Sequence, residues 1–384
     1  MMNALKKIKW NHYINYAVIG LFTLVFSIIS LAGGHLSSSM LFLFEKIAIS
    51  IILAVSLSLV VGFLGELSLG HAGFMCLGAY LGGKVAVLLE SSLGSGPLNL
   101  IISLVVGGSV SALFGVVIGI PALRLRGDYL AIVTLAFGEI VKSIFQNTSD
   151  ATFGGALGLA TPRYDKQYLF IFAFILVLIT LAVIQNFIRS KHGRAVTAIR
   201  DNEIAARATG INVTKYKLMA FTISAFFAGI AGVLYSFSNY NVQSMKFGYN
   251  YSIEILVMVV LGGMGSINGA IIAATLITFL NTKLATILTG DLAVLQNLLY
   301  AVILIIIVIY SNAPKLKSFR DKYNLSSLFN KIVKPKNDPS DRRDDKRSWD
   351  AVPTKIEMNE ILSIDLKPQD IQGNAKNDKD GGDK

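Results

Sequence analysis

The sequence contains few charged residues and almost no cysteine. Only 15% of its 384 residues are charged, whereas soluble domains usually carry about a quarter, and 53% are hydrophobic. The single cysteine, Cys76, excludes a disulfide within the chain and any zinc or iron–sulfur site built on several thiolates. This composition indicates an integral membrane protein rather than a soluble enzyme.

Patterns typical of catalysis or nucleotide binding are also scarce. No two of the four histidines have the spacing of a zinc protease, and no Gly-x-Ser-x-Gly elbow occurs. Residues 78–84 (GAYLGGK) match the first seven positions of a phosphate loop, but Val85 stands where Ser or Thr is needed, and the stretch is apolar. We therefore expect no catalytic residues, no metal site and no cofactor in this chain.

Basic residues outnumber acidic residues by 35 to 24, and those outside the C-terminal part lie mostly in short loops. Because these basic residues do not cluster on one face of a soluble domain, their excess indicates membrane topology and not a nucleic-acid interface. We therefore expect a lipid bilayer around the chain and no nucleic acid as a partner.

Apolar stretches suited to crossing a bilayer recur along the chain. About 20 apolar residues cover roughly 30 Å of hydrocarbon, and about ten stretches are candidates. The predicted spans are residues 13–32, 44–63, 72–90, 98–120, 128–146, 168–188, 218–237, 251–264, 267–288 and 293–311. The first has no convincing cleavage site for a signal peptide. The predicted fold class is an all-α polytopic membrane protein with about ten transmembrane helices.

Clusters of basic residues predict the orientation of these spans. Residues 6–9, 124–126, 189–217 and 315–322 each contain such a cluster, and an even number of predicted spans separates each cluster from the next. Basic loops stay on the cytoplasmic side of the membrane. Both termini and the 189–217 segment are therefore expected to be cytoplasmic.

Two glycine-rich stretches interrupt the apolar runs. They are residues 62–73 (GFLGELSLGHAG) and 261–269 (LGGMGSING). Irregular backbone at membrane depth is tolerated only where protein covers it or where it lines a wet cavity, so both breaks are expected to face inward. Small residues four apart elsewhere predict close helix packing. These pairs are Gly78 with Gly82, Gly115 with Gly119, and Ala225 with Gly229.

The sequence becomes polar after Pro314, and this change sets the predicted domain boundary. Residues 315–384 are rich in charged residues and cannot bury enough apolar surface to fold alone. We predict a transmembrane domain over residues 1–314 and a disordered cytoplasmic tail over residues 315–384.

Polar residues within the apolar spans are candidates for the lining of a translocation pathway. An ionisable group at the bilayer centre costs about 2.5–3.5 kcal/mol, so its presence suggests a function. The candidates are Glu66, Ser68, His71, Thr134, Glu139, Glu254 and Asn268. The alternative is that neighbouring backbone at the membrane edge satisfies these side chains.

The 189–217 segment contains seven basic and two acidic residues. Residues 195–209 favour a helix, on which Glu203 and Arg207 form an i, i+4 pair. Gly210 supplies the left-handed residue that ends such a helix. A charged helix between two spans suits docking into a groove of a cytoplasmic protein. The alternative is a solvated loop whose charges only set orientation.

Glu203, Ala205, Ala206 and Gly210 resemble the Glu-Ala-Ala…Gly loop through which permeases of bacterial binding-protein-dependent, ATP-driven importers contact their ATPases. Four longer stretches are similar to the branched-chain amino acid permease family, specifically its LivM-type subunit. They are residues 193–236, 65–80, 127–140 and 260–274. The resemblance covers roughly residues 45–310.

The resemblance implies a subunit of an ABC importer for branched-chain or other neutral amino acids in the bacterial plasma (inner) membrane. The implied partners are a second, LivH-like permease, two LivG/LivF-like ATPase subunits and an extracytoplasmic solute-binding protein. ATP and Mg would be bound by the ATPase subunits, so the chain itself would not be an enzyme. The residues implied in coupling to the ATPases are Arg200, Asp201, Glu203, Ala206 and Gly210.

Other functions stay open from the residues alone. Relatives in the same family also move urea or other amides, and family members commonly end soon after the last span, unlike this chain. A gradient-driven carrier acting alone could use Glu66, Glu139 or Glu254 as an ion-binding carboxylate. A membrane enzyme built around His71 and Glu66 lacks its remaining catalytic groups.

Overall fold

The computed structural model describes residues 14–31, 37–94, 96–125, 127–162, 164, 166–287, 301, 302 and 305. The helices up to the middle of the chain are α1 (Ile14–Leu31), α2 (Ser38–Ser58), α3 (His71–Leu77), α4 (Gly83–Leu93), α5 (Pro97–Ala122), α6 (Asp128–Gln146) and α7 (Asp150–Phe153). Those that follow are α8 (Lys166–Arg189), α9 (Lys191–Asp201), α10 (Glu203–Ala208), α11 (Val213–Asn239), α12 (Tyr249–Gly262) and α13 (Ile267–Ile287).

Shorter elements connect these helices. Two π-helical stretches, Leu59–Leu64 and Gly78–Gly82, extend α2 and join α3 to α4. A 3₁₀ turn, Ser244–Phe247, precedes α12. Two short strands, β1 (Leu159–Ala160) and β2 (Asn241–Val242), pair antiparallel, with β2 directly after α11.

Within the described part of the chain, six helical stretches are long and apolar enough to cross a membrane. They are Ser38–Leu64, His71–Leu93, Pro97–Ala122, Tyr168–Arg189, Val213–Asn239 and Ile267–Ile287. The predicted all-α polytopic class is confirmed, whereas the predicted count of ten is not. Most of the predicted span 293–311 and the whole predicted tail 315–384 lie outside the described residues.

Helix α2 lies at the centre of the bundle. Of the apolar window in Ser38–Leu64, 94% is buried inside the protein, and α2 contacts α8, α11, α12 and α13. A helix that is apolar all round and covered by protein on every side is typical of the core of a large helical protein. The interruption at the end of α2 therefore lies within the bundle.

The small residues spaced four apart let helices approach closely, as predicted. A Cβ atom on Gly78 would lie 2.1 Å from the carbonyl oxygen of Gly229, and one on Gly115 would lie 2.8 Å from Ala225 Cβ. Neither distance is possible for a real side chain, so these contacts require glycine. The stretch that matched a phosphate loop is helical and packs against α11.

Candidate functional site

The first glycine-rich break begins where the π-helical end of α2 stops. Gly65 adopts a φ of 80°, a left-handed conformation that favours glycine. Residues 65–70 then form no regular structure until α3 begins at His71. The predicted interruption is therefore present at this position.

The second break lies between α12 and α13. Helix α12 ends at Gly262, and Gly263 and Gly265 have φ values of 89° and 84°. The two breaks contact each other, because a Cβ atom on Gly62 would lie 2.5 Å from the backbone nitrogen of Gly265. The backbones of the two breaks are in contact here. The positions of the breaks in the sequence do not predict this contact.

The 189–217 segment forms two helices, so the prediction of one helix over residues 195–209 is wrong. Asn202 has extended backbone dihedrals, and its side-chain oxygen accepts a hydrogen bond from the backbone N–H of Ala205 at 3.0 Å. Asparagine favours this capping role over the helix interior because its side chain competes for nearby backbone groups. The helical run therefore ends at Asp201 and starts again at Glu203.

Two other predictions for this segment are confirmed. The guanidinium of Arg207 lies 2.8 Å from a carboxylate oxygen of Glu203. Gly210 has a φ of 85°, and its N–H donates to the carbonyl oxygen of Arg207 after the end of α10. Neighbouring residues in the sequence therefore determine both the ion pair on this short helix and the residue that ends it.

Arg200 joins the 189–217 segment to both breaks. Its Nη1 donates to the carbonyl oxygen of Gly62 at 3.1 Å, and its Nε and Nη2 bind a carboxylate oxygen of Asp201. A Cβ atom on Gly65 would lie 2.7 Å from Arg200 Cγ, and one on Gly265 would lie 3.6 Å from Nη1. The end of α9 therefore packs directly against the point where the breaks meet.

Lys217, the fifth residue of α11, forms the second connection. Its side chain is 4% exposed and pairs with the carboxylates of Glu66 and Glu203, the latter at 3.2 Å. Glu66 belongs to the first break and Glu203 to α10, so one buried ammonium group links the two. Removing one member of a buried ion pair leaves an uncompensated charge, which is strongly destabilising.

We call this cluster the junction. Its members are Gly62, Gly65, Glu66, Arg200, Glu203, Lys217 and Gly265. The sequence did not predict a role for Lys217, because it is one of several basic residues in the 189–217 segment and lies at the end of that segment. Its position one turn inside an apolar helix was the available signal, since a charge there needs a partner.

Ser68, His71 and Thr134 lie around the first break. Thr134 Oγ1 accepts a hydrogen bond from the N–H of Leu69 at 3.0 Å, and His71 Nε2 lies 2.8 Å from Ser56 Oγ. All three predicted residues are buried. Protein neighbours therefore satisfy the imidazole and the Thr134 hydroxyl, and these contacts tie the break to α2 and α6.

The remaining pathway candidates are dispersed. Glu139 accepts from the N–H of Tyr249 at 2.7 Å and pairs with Lys142 at 2.6 Å, which ties α6 to the start of α12. Asn268 is exposed, at the beginning of α13. Glu254 accepts a hydrogen bond from Asn281 at 3.0 Å. The predicted residues therefore do not share one location.

The predicted coupling residues differ in exposure. The Asp201 side chain is 68% exposed and Ala206 is buried, while Gly210 is exposed. The prediction omitted Ile204, which is 77% exposed on α10. Ile204 therefore adds one apolar side chain to the exposed side of this charged helix.

Comparison with known proteins gives matches over most of the described chain. Residues 39–309 match the family model described as "Branched-chain amino acid transport system / permease component". The chain is 40% identical over 261 residues to the high-affinity branched-chain amino acid transport system permease protein LivM of Salmonella typhimurium strain LT2, and 39% identical over 261 residues to that of Escherichia coli K12. Each alignment covers 60% of this chain and 60% of the relative.

A more distant relative is named for the import of a different kind of solute. The chain is 25% identical over 321 residues to the ribose import permease protein RbsC of Escherichia coli K12, covering 77% of this chain and 92% of that protein. No solved structure matches the chain significantly.

Proposed function

Because the chain belongs to the permease family of branched-chain amino acid transport systems, we propose that it is the membrane-spanning permease subunit of an ATP-driven (ABC) importer. Its solutes are branched-chain or other neutral amino acids, since its identity to the LivM relatives exceeds its identity to the ribose permease. The partners are a LivH-like permease, two LivG/LivF-like ATPases that bind ATP and Mg, and an extracytoplasmic solute-binding protein.

The orientation follows from the basic loops. The 189–217 segment, with its seven basic residues, and both termini lie on the cytoplasmic side of the bacterial inner membrane. The junction then lies at the cytoplasmic end of the bundle, because Lys217 lies one turn after the start of α11 and Gly62 follows α2. The opposite ends of these helices face the extracytoplasmic side.

One observation carries the proposal: the 189–217 segment presents exposed residues of α10, while Arg200 on its other side hydrogen-bonds to the first break and lies beside Gly265 of the second. Ile204 is exposed, whereas Glu203 and Arg200 bind Lys217 and the carbonyl oxygen of Gly62. A displacement of α10 by closing ATPase subunits would therefore move both breaks. Such breaks absorb backbone changes in transporters, so they are the elements that open and close the pathway.

The test is reconstitution of the tagged chain purified from its native membrane in mild detergent. We expect a second permease and two ATPases to co-purify, and ATP hydrolysis to rise when one amino-acid-loaded binding protein is added. ATP-dependent uptake of that amino acid into proteoliposomes is the matching transport measurement. A chain that purifies alone and moves solute down an imposed ion gradient without ATP would instead support a gradient-driven carrier.

A further inference from the structure

A polar cavity of about 680 Å³ lies among α2, α11, α12 and α13. Its lining includes two lysines, Lys46 and Lys246, together with Glu254, Thr278 and Asn281. Pockets that hold small ligands typically have volumes of about 300–1,000 Å³. The volume therefore suits a small solute together with several water molecules.

The cavity lies at the end of the bundle opposite the junction. Lys46 precedes Gly62 by 16 residues along α2 and its π-helical extension, and Asn281 follows Ile267 by 14 residues along α13. At 1.5 Å per residue these separations are about 20–24 Å. The same helices therefore carry the breaks at one end and line the cavity at the other.

Two of these charged residues, Lys46 and Glu254, are partly buried among apolar helices, where a charge is costly. Lys46 is partly buried, with its ammonium group 4.6 Å from the centre of the Phe42 ring. Thr278 is 7% exposed, and its hydroxyl has no hydrogen-bond partner among the described residues. Buried polar groups are normally satisfied, so this hydroxyl is available to a polar ligand in the cavity.

The charged groups have the signs that an α-amino acid needs. The lysine ammonium groups complement a carboxylate, and the Glu254 carboxylate, oriented by Asn281, complements an ammonium group. Apolar side chains of Ile49 and Met258 complete the lining and suit an aliphatic side chain.

We propose that this cavity binds the transported solute as a zwitterion, with Lys46 and Lys246 holding its carboxylate and Glu254 its ammonium group. The inference rests on the proposed function and adds to it the residues that recognise the solute within the membrane. An uncharged amide such as urea carries neither charge of a zwitterion, so we expect the lining to favour amino acids over amides.

The test uses the complete transporter, with partner permease and ATPases, and the probe L-leucine. Radiolabelled leucine binding is measured without the solute-binding protein, so that recognition by that protein does not contribute. The 2-oxo acid of leucine lacks the ammonium group, and isoamylamine lacks the carboxylate. Both are expected to compete about 10-fold or more weakly than unlabelled leucine, the typical loss for one charge-assisted hydrogen bond.

Two variants test the lining directly. Glu254→Gln and Lys246→Met are each expected to weaken leucine binding about 10- to 100-fold. Glu90→Gln and Lys283→Met make the same changes at exposed positions outside the cavity and are expected to bind leucine normally. Lys246 is exposed, so its loss leaves the fold intact even if Glu254→Gln does not assemble.

The outcomes separate the two proposals. Leucine binding that is unchanged in both variants, equal competition by the charge-deficient analogues, or no saturable binding by a wild-type complex that transports leucine would each overturn the cavity assignment alone. A wild-type complex that neither transports leucine nor hydrolyses ATP in response to it would overturn the proposed function as well.

Discussion

Lys217 is the residue on which the junction depends most. It is a buried cation with two carboxylate partners, one from a membrane break and one from α10. Neither glutamate is strongly exposed, with side-chain exposures of 13% for Glu66 and 23% for Glu203. Because solvent cannot replace the ammonium group fully, the interaction contributes to stability, and the proposed function adds a role in coupling.

Lys217→Met is therefore expected to destabilise the permease by about 3–5 kcal/mol, the usual cost of leaving a buried charge unpaired. Thermal unfolding of the purified complex measures this loss. Lys215→Met, an exposed lysine in the same turn, is the matched control and should change stability little.

The double variant Glu66→Gln with Lys217→Met tests whether the loss comes from the ion pair. Since the substitution at Glu66 removes the charge left unpaired, the double variant should lose less stability than the sum of the single variants. Simple additivity of the two losses would show that the two side chains do not interact.

At the scale of elements, the two glycine-rich breaks meet at points where the α-helices on either side are interrupted. The π-helical turn after α2 and the turn between α12 and α13 approach so closely that Gly62 and Gly265 touch through backbone atoms. π-helical turns are frequent at functional sites. Because their backbones are in contact, a change in the backbone of either break is expected to displace the other.

Gly62→Ala is expected to reduce ATP-driven transport about 10-fold or more, because the added methyl group would lie 2.5 Å from the nitrogen of Gly265 and force the breaks apart. Gly20→Ala is the control, since no atom of the described residues lies within 4 Å of a Cβ added to that helical glycine. The measurement is uptake in proteoliposomes with each complex shown to be assembled. If the Gly62 variant shows wild-type uptake, the contact between the two breaks is not required for transport.

The exposed face of α10 is the element expected to dock on an ATPase. Ile204→Ser should lower the amount of ATPase that co-purifies by about 10-fold or more, as expected for a central apolar residue of an interface. Leu157→Ser changes a residue of similar exposure, 74% against 77%, in the turn before β1. If both variants retain the ATPases equally well, α10 is not the docking element.

At the scale of the whole molecule, the junction and the cavity occupy opposite ends of the same four helices. Lys217 and Tyr235 lie near the two ends of α11, and on α12 Glu254 precedes the terminal Gly262 by eight residues. This arrangement suits a protein that receives solute at one surface and a conformational signal at the other. It also makes the orientation of the chain directly measurable.

Ala208→Cys and Lys246→Cys place a thiol at exposed positions near these two ends. A membrane-impermeant maleimide should label the Lys246 variant in spheroplasts and the Ala208 variant only in inside-out vesicles, because basic loops stay cytoplasmic. The native Cys76 is 0% exposed and provides an internal control for background labelling. The reverse labelling pattern would invert the proposed topology.

The sequence by itself determined the membrane class, both glycine breaks, the Glu203–Arg207 pair and the left-handed Gly210. Each of these depends on local composition or on residues within one or two helical turns, which act the same way in any fold. The tertiary structure alone decided the contact between the breaks, the burial of Lys217 between two carboxylates, the split at Asn202 and the cavity around Glu254.

Three of these four features join residues far apart in the chain, and their partners depend on how helices cross. Glu66, for example, read as a pathway candidate because it is a charge in an apolar stretch, yet its neighbour is a lysine 151 residues later. The split at Asn202 is local, but a capping side chain and a tolerated helical asparagine look alike until the backbone is known. Chain composition limits what can be buried, whereas packing decides which buried groups meet.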